Sequence, residues 1–387
     1  MSRKKIKLGE LCKPPKGQIK ESPNTVIDYI DISSVDSNSK TITGYQTMPF
    51  SEAPSRARKS VEKRSVIVST VRPNLNAVAV FEKETTNKPV VSTGFCVLDS
   101  KENVDYRFIF NFCRSKTFID DMVSQATGAS YPAVTDKIIR SALIPEYSYE
   151  EQCEISAVLD RVAQIIESRK KELSVLDDLI KARFVELFGT IRNNVYNYDI
   201  KTIQDVCEQI KDGTHQTPRY TEDTINGFKF LSSKDVTTGK IDWTKIKYIP
   251  EDLHNELYSR IAPKKGDLLL AKNGTTGVAA IVDVDEVFDI YVSLALLRPI
   301  DVDSVYLWGA VNSAETKEQF DSSLKGIGVP NLHLGEIKKT KIIVPPKDKQ
   351  LEFAAFVEQV DKSKVAVQKA LDEAQLLFDS LMQEYFG

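Results

Sequence analysis

The side chains in this chain that could hold a ligand are basic groups and amides placed near turns. Arg56, Arg58, Lys59, Lys63 and Arg64 form its most basic stretch, and the turn Arg72-Pro73-Asn74 follows. An arginine fork matches a guanine edge or a phosphate, and an asparagine amide matches adenine, when either is presented on a loop. A charge run is also the ordinary make-up of a solvated face, so the residues alone leave both uses open. Further along, two polar loops, Lys211-Asp212-Gly213-Thr214-His215 and Lys272-Asn273-Gly274-Thr275, stand where a matching fold would place them, with different side chains.

Catalysis has little to work with. The three histidines, His215, His254 and His333, show no metal-ligand spacing, and neither a GxxxxGK[ST] loop nor a GxGxxG fingerprint occurs. The stretch Gly274-Thr275-Thr276-Gly277 is too short for a phosphate loop and reads as a β-turn. Five scattered cysteines without a CxxC pair make structural zinc and a disulfide framework poor readings. A binding module is favoured over an enzyme.

Positioning these loops requires a scaffold, and 387 residues leave room for two or three domains with cores of their own. No run of 18 apolar residues occurs and the start lacks the apolar segment of a signal peptide, so no membrane role and a cytoplasmic location are expected. Charge is uneven. Residues 1–150 hold 22 Lys and Arg against 17 Asp and Glu, whereas residues 190–346 hold 19 against 22. If the chain binds nucleic acid, the attraction for phosphate in its second half must come from local patches or from a partner subunit.

The strongest pattern lies between Glu150 and Gly189. Ile155, Val162 and Leu176 share one heptad position with Arg169 and Arg183, while Leu159, Ile166, Leu173, Ile180 and Leu187 fill another. Such steps of four and three mark a two-helix seam. A helix of roughly 38 residues is ~57 Å long, too long to be buried in one compact domain. A shift of 198 residues carries Gln152 onto Gln350 and Phe188-Gly189 onto Phe386-Gly387, and a second seam appears. It runs Phe353, Val360, Val367, Ala374 and Leu381 at one position and Val357, Lys364, Leu371, Phe378 and Tyr385 at the other, with Lys364 breaking the stripe. The same shift pairs Gly128, Pro132 and Ile139 with Gly326, Pro330 and Ile337, which makes duplication of the whole chain the simplest account.

Each unit is expected to be a globular domain followed by a long helix: residues 1–149, a helix over 150–189, residues 190–346, and a helix over 347–387. In the first domain Val26–Ile32, Ser65–Val71, Ala77–Phe81 and Val90–Leu98 read as strands and Tyr106–Cys113 and Lys116–Gln125 as helices. In the second, Phe228–Leu231, Asp267–Ala271, Val278–Val282 and Tyr291–Leu297 read as strands, with 190–201 a linker. The expected fold is two pseudo-repeated α/β domains joined by two long helices in an antiparallel coiled coil.

Several segments resemble the specificity (S) subunits of type I restriction-modification systems. They are the helix entries "ALIPEYSYEEQCEI" and "IIVPPKDKQLEF", the helix ends "LDDLIKARFVELFG" and "LMQEYFG", and the hairpins "VIVSTVRPNLNAVAVF" and "GDLLLAKNGTTGVAAI". The resemblance spans essentially the whole chain. The second helix departs at Asp348-Lys349, where acidic residues precede Gln152. The resemblance implies a non-catalytic reader whose two target-recognition domains each take half of a bipartite, asymmetric site in double-stranded DNA. It implies helices that space the halves and dock two modification (M) subunits, which carry S-adenosylmethionine, while restriction (R) subunits bring ATP and Mg. The chain itself would bind no cofactor. DNA contact is then expected from Arg56, Arg58, Lys59, Arg64, Arg72, Asn74, Lys211, His215, Lys272, Asn273 and Thr275. The alternatives are a coiled-coil adaptor joining protein partners, or the specificity chain of a system with a fused methylase-nuclease.

Overall fold

A computed structural model describes residues 3–20, 25–324 and 331–387. Gly326 and Pro330, two of the repeat positions, lie outside the described residues. The chain divides into two compact units, residues 1–170 with 369–387, and residues 171–368.

In the first unit, Val26–Ile30 runs parallel to Lys88–Ser92, and the antiparallel strands Gln46–Pro49 and Ala57–Ser60 flank this pair. The second sheet sets Val66–Ser69, buried at every residue, between Phe95–Leu98 and Val78–Val80. The sequence reading of Val90–Leu98 as one strand is corrected here. The chain breaks at Thr93-Gly94, and the two halves pair in different sheets. Asp105 and Ser115 cap the helices Tyr106–Cys113 and Lys116–Gln125 by accepting from Arg107 and Phe118 N–H. Phe108, Ile109 and Phe112 of the first helix bury against Val66, Val78 and Cys96. The apolar run Ile138–Ile144 resolves into a helix, Asp136–Ser141, and a strand, Leu143–Pro145, which pairs with Lys5–Lys7.

The second unit repeats this order. Phe228–Leu231 runs parallel to Phe288–Ile290, and Leu268–Ala271 lies between Ala279–Ile281 and Leu294–Pro299. Its helices Ser304–Val311, Ala314–Ser323 and Leu334–Lys339 each begin and end 198 residues beyond their counterparts. So does the helix Lys347–Phe386 relative to Tyr149–Phe188. Three expectations change. The end of the 190–201 linker belongs to a strand, Asp199–Thr202, that pairs with Lys341–Val344, and Lys211-Asp212, read as loop, end the strand Cys207–Asp212. The strand read as beginning at Tyr291 begins at Leu294. The units also differ in several elements: where the first has the strand Ala57–Ser60, the second has the helix Glu251–Arg260. Its His254 stacks on Phe228 at 3.7 Å and meets Asp289, whose carboxyl burial pushes up to about 6.

Each long helix is tied to its globular part by one buried glutamine. Gln152 Oε1 accepts from the Asp105 N–H at 3.1 Å and its Nε2 donates to the Tyr147 carbonyl at 2.9 Å. Gln350 does the same with Asp303 N–H at 2.7 Å and the Pro345 carbonyl at 2.8 Å. The two sets of partners are 198 residues apart, so the match of Gln152 to Gln350 reflects a repeated tether. Phe188 and Phe386 are fully buried at the helix ends, and Gly189 caps the first helix with φ 70°.

Both tryptophans, Trp243 and Trp308, belong to the second unit, so their fluorescence reports its unfolding. Gln350→Ala strands the Asp303 N–H and should lower the tryptophan-monitored stability by ~1–3 kcal/mol. Gln152→Ala should leave that transition near wild type while lowering the stability of the first unit. Equal tryptophan shifts for the two variants would contradict the assignment.

Candidate nucleic-acid interface

The hairpin Val66–Ser69 with Val78–Val80 closes through a turn in which Arg72 and Asn76 both hold left-handed backbone, at φ 49° and 47°. That conformation costs a residue with a Cβ roughly 1–2 kcal/mol, so the surroundings must impose it. Asn76 supplies the constraint: its Nδ2 donates to the Cys113 carbonyl at 2.8 Å, and its carbonyl and Oδ1 accept from Lys40 Nζ at 2.6 and 2.9 Å. Burial, with Arg114 adding to it, pushes the Lys40 ammonium down to about 8. Pro73 opens the short 3-10 turn that follows Arg72 and presets its backbone angle. The Arg72 N–H donates to the Pro132 carbonyl at 2.7 Å, and its guanidinium lies 4.5 Å above the Tyr131 ring. Arg72, Asn74, Leu75 and Tyr131 are thereby gathered and exposed, Tyr131 at 66%.

The basic stretch is not gathered in the same way. Arg56 does share the sheet end with Arg72, since its carbonyl accepts from Thr93 N–H and the adjacent Gly94 carbonyl accepts from Thr70 N–H. It is exposed and pairs with Asp31 at 2.9 Å. Arg58 lies half-buried, 5.0 Å over the Phe50 ring. Lys59 is spent internally, on the Phe95 carbonyl at 2.7 Å and Asp136 at 2.6 Å. Lys63 pairs with Glu84. Arg64 is exposed, but it stands over Tyr106 at the opposite end of Val66–Ser69 from Arg72. Of the basic residues expected at DNA, Lys59 is taken up internally and Arg64 lies at the far end of its strand from Arg72. Alternation along a strand and the length of a hairpin disperse residues that are adjacent in sequence.

The second unit builds the same turn with other side chains. Val134 N–H donates to the Thr70 carbonyl at 2.8 Å, and Leu332 N–H to the Lys272 carbonyl at 2.9 Å. Val71 bridges to Ala133 and Asn273 to Asn331. Arg72 therefore corresponds to Gly274, which is also left-handed, at φ 76°, and open to solvent around its Cβ position. Asn273 is half-buried and Thr275 exposed. Lys272, expected as an exposed cation, is instead 5% exposed and paired with Asp212 at 2.7 Å. It props the turn rather than reaching solvent. Gly213 follows because a Cβ there would lie 2.0 Å from the Ile290 carbonyl oxygen, so only glycine lets the loop lie so close to that strand. His215 is exposed with Nε2 3.4 Å from Asp212, and exposed Lys211 donates to the Arg260 carbonyl at 3.2 Å.

Sequence reasoning missed a cleft of about 340 Å³ beside this turn, lined by Tyr220, Phe230, Lys234, Lys247, Tyr291 and Ser293 among others. Its residues come from four separated segments, and no local pattern announces them. They meet because Tyr291 N–H donates to the Leu231 carbonyl, while the Ser293 carbonyl accepts from Lys272 N–H.

Two copies of one scaffold, each presenting a turn with its own side chains, define a paired binding module; among the described residues no cluster could hold a metal ion. The model of the type I restriction modification DNA specificity domain matches residues 3–177 and 197–374, and the chain belongs to that family. It is 24% identical over 311 residues to the type I restriction enzyme MjaVIII specificity subunit of Methanocaldococcus jannaschii, covering 73% of this chain and 72% of the relative. The MjaIX specificity subunit of the same organism is 23% identical over 352 residues, covering 82% and 76%. Among solved structures, a chain from a study of complex assembly and conformational transition of the type I R-M system aligns over 100% of this chain and 97% of its own, with TM-score 0.62 and 23% identity. The S subunit from M. genitalium aligns over 100% and 99%, with TM-score 0.56 and 15% identity. These two share the fold.

Arg72→Gly installs the residue that the second unit carries at this position. The backbone already suits glycine, so stability should stay within ~1 kcal/mol. Binding to the cognate duplex should weaken by ~1–3 kcal/mol, with discrimination lost in one half-site. Unchanged affinity and specificity in an anisotropy titration would remove Arg72 from the interface.

Proposed function

We propose that this chain is the DNA sequence-recognition subunit of a type I restriction-modification complex, with each unit reading one half of a bipartite, asymmetric site. The observation that carries this is the turn built twice on one backbone. One copy offers Arg72 with Asn74 and Tyr131, and the other offers Gly274 with Asn273, Thr275 and His215. Corresponding scaffolds with unlike side chains suit two different sequences of one kind of ligand. Arg72 supplies a cation on the first unit's face, where a phosphate contact would fix register without reading bases. The chain is not itself an enzyme.

We infer further that the long helices pair as an antiparallel coiled coil and space the two half-sites. Within residues 171–368 the support is direct contact: Arg183 pairs with Glu352 at 2.8 Å, and Lys364, which breaks the apolar stripe, pairs with Asp177. Numbers fall on one helix as they rise on the other. The seam side chains Ile155, Leu159, Val162, Ile166, Ile180, Phe353, Val357 and Val360 are buried, and Leu173, Leu176, Leu371 and Phe378 half-buried. Off the seam, Val175, Leu179, Leu351 and Val365 are exposed and offer apolar area for docking modification subunits. Those two subunits would bring S-adenosylmethionine, restriction subunits would bring ATP and Mg, and the assembly would act in the cytoplasm. Among the described residues no helix is long and apolar enough to cross a membrane.

One heptad added to each helix, kept in register, lengthens the pair by ~10.5 Å. That equals about three base pairs of spacer, and about 100° of duplex rotation that the helices barely follow. Mapping methylated adenines should then show a longer spacer with weaker modification, or no bipartite modification. Full modification at the original spacing would mean that the helices do not set it.

A further inference from the structure

We propose that Lys234 and Lys247 clamp one backbone phosphate of DNA in the cleft beside the second reading turn. This rests on the DNA-reading function and assigns the second unit its phosphate contact. Residues 190–346 are net negative, 19 basic against 22 acidic, so attraction for phosphate has to be concentrated locally.

The cleft concentrates it. Lys247 Nζ stands 4.0 Å over the Tyr220 ring, which fixes its position without consuming its charge. Tyr220 is itself braced edge-on against Phe230 at 6.1 Å. Among the described residues neither Lys234 nor Lys247 has a carboxylate within ion-pair distance, unlike Arg56, Lys59, Lys63 and Lys272. The carboxylate beside them, Asp235, is buried and satisfied by the Ser232 N–H at 2.7 Å and hydroxyl at 3.0 Å. Ser293 Oγ accepts from the Ser233 N–H at 3.0 Å, which leaves its own hydroxyl hydrogen to donate into the cleft. Two uncompensated ammonium groups and a hydroxyl donor match a tetrahedral oxyanion.

Position ties the clamp to reading. The Ser293 carbonyl accepts from Lys272 N–H at 2.8 Å, so a phosphate held here sets the register of Asn273 and Thr275 against the bases. In the first unit the position of Ser232 is taken by Asp31, which neutralises Arg56. The clamp therefore belongs to the second unit, where the overall charge opposes DNA.

The test uses the full chain, a short random-sequence duplex and the Lys234→Gln/Lys247→Gln variant, with Kd followed against salt by anisotropy. The wild type should bind with a steep salt slope. The variant should melt at the same temperature, lose ~0.9 from that slope per phosphate contact and bind ~10-fold more weakly at about 0.1 M salt. A wild type that binds steeply and a variant with an unchanged slope overturn the clamp and leave DNA reading intact. A wild type with no salt-dependent binding overturns both. A second arm titrates inorganic phosphate: binding that the variant loses while its DNA slope is unchanged makes this a free-anion site and overturns the clamp.

Discussion

The architecture depends on one amide pair made twice. A glutamine near the start of each long helix sits in the core, its oxygen on the N–H of a helix-capping aspartate and its nitrogen on the carbonyl of the entering chain. Both partners are backbone groups that no regular element satisfies at that point, so leaving either unpaired carries a desolvation cost. The side chain therefore fixes the direction in which each helix leaves its globular part. Because Asp105 and Asp303 also cap the first helix of their core, the tether reaches the packing around Phe108 and Tyr306 directly.

Aromatic packing at the far end of each helix completes that constraint. Within residues 171–368, Phe188 packs against Tyr306 and Phe353 at 5.2 and 5.7 Å. Within the other unit, Phe386 packs against Phe108 and Phe112 at 5.2 and 5.9 Å. Each core thus takes in the beginning of one long helix and the end of the other. The two candidate turns sit on the hairpins of these cores, and their left-handed residues are held from below, by Asn76 and Lys40 in one unit and by the Lys272–Asp212 pair in the other. A rigid turn with a variable side chain is the arrangement a reader needs, since misplaced donors discriminate poorly.

Much of this was legible in the sequence. The long helices carry their heptads, and the repeat an offset that four helices obey to the residue. What was illegible depends on distance along the chain. Val90–Leu98 reads as one strand because β-branched and apolar residues fill both halves, and the break at Thr93-Gly94 appears only when the two halves are seen to pair in different sheets. Lys272 reads as a free cation until Asp212, sixty positions earlier, is seen beside it. The basic stretch was legible as charge but not as geometry, since Lys59 turns inward and Arg64 lies at the wrong end of its hairpin. The cleft of Tyr220 and Lys247 joins segments too far apart for any local pattern.

The central claim is that one scaffold, used twice, reads two different sequences. Assembling the chain with a type I modification subunit that it co-purifies with, then mapping the adenines which that complex methylates, tests this most directly. The account predicts a bipartite motif with two unlike halves separated by a fixed number of unspecified base pairs. A single contiguous motif, or two identical halves, would contradict it.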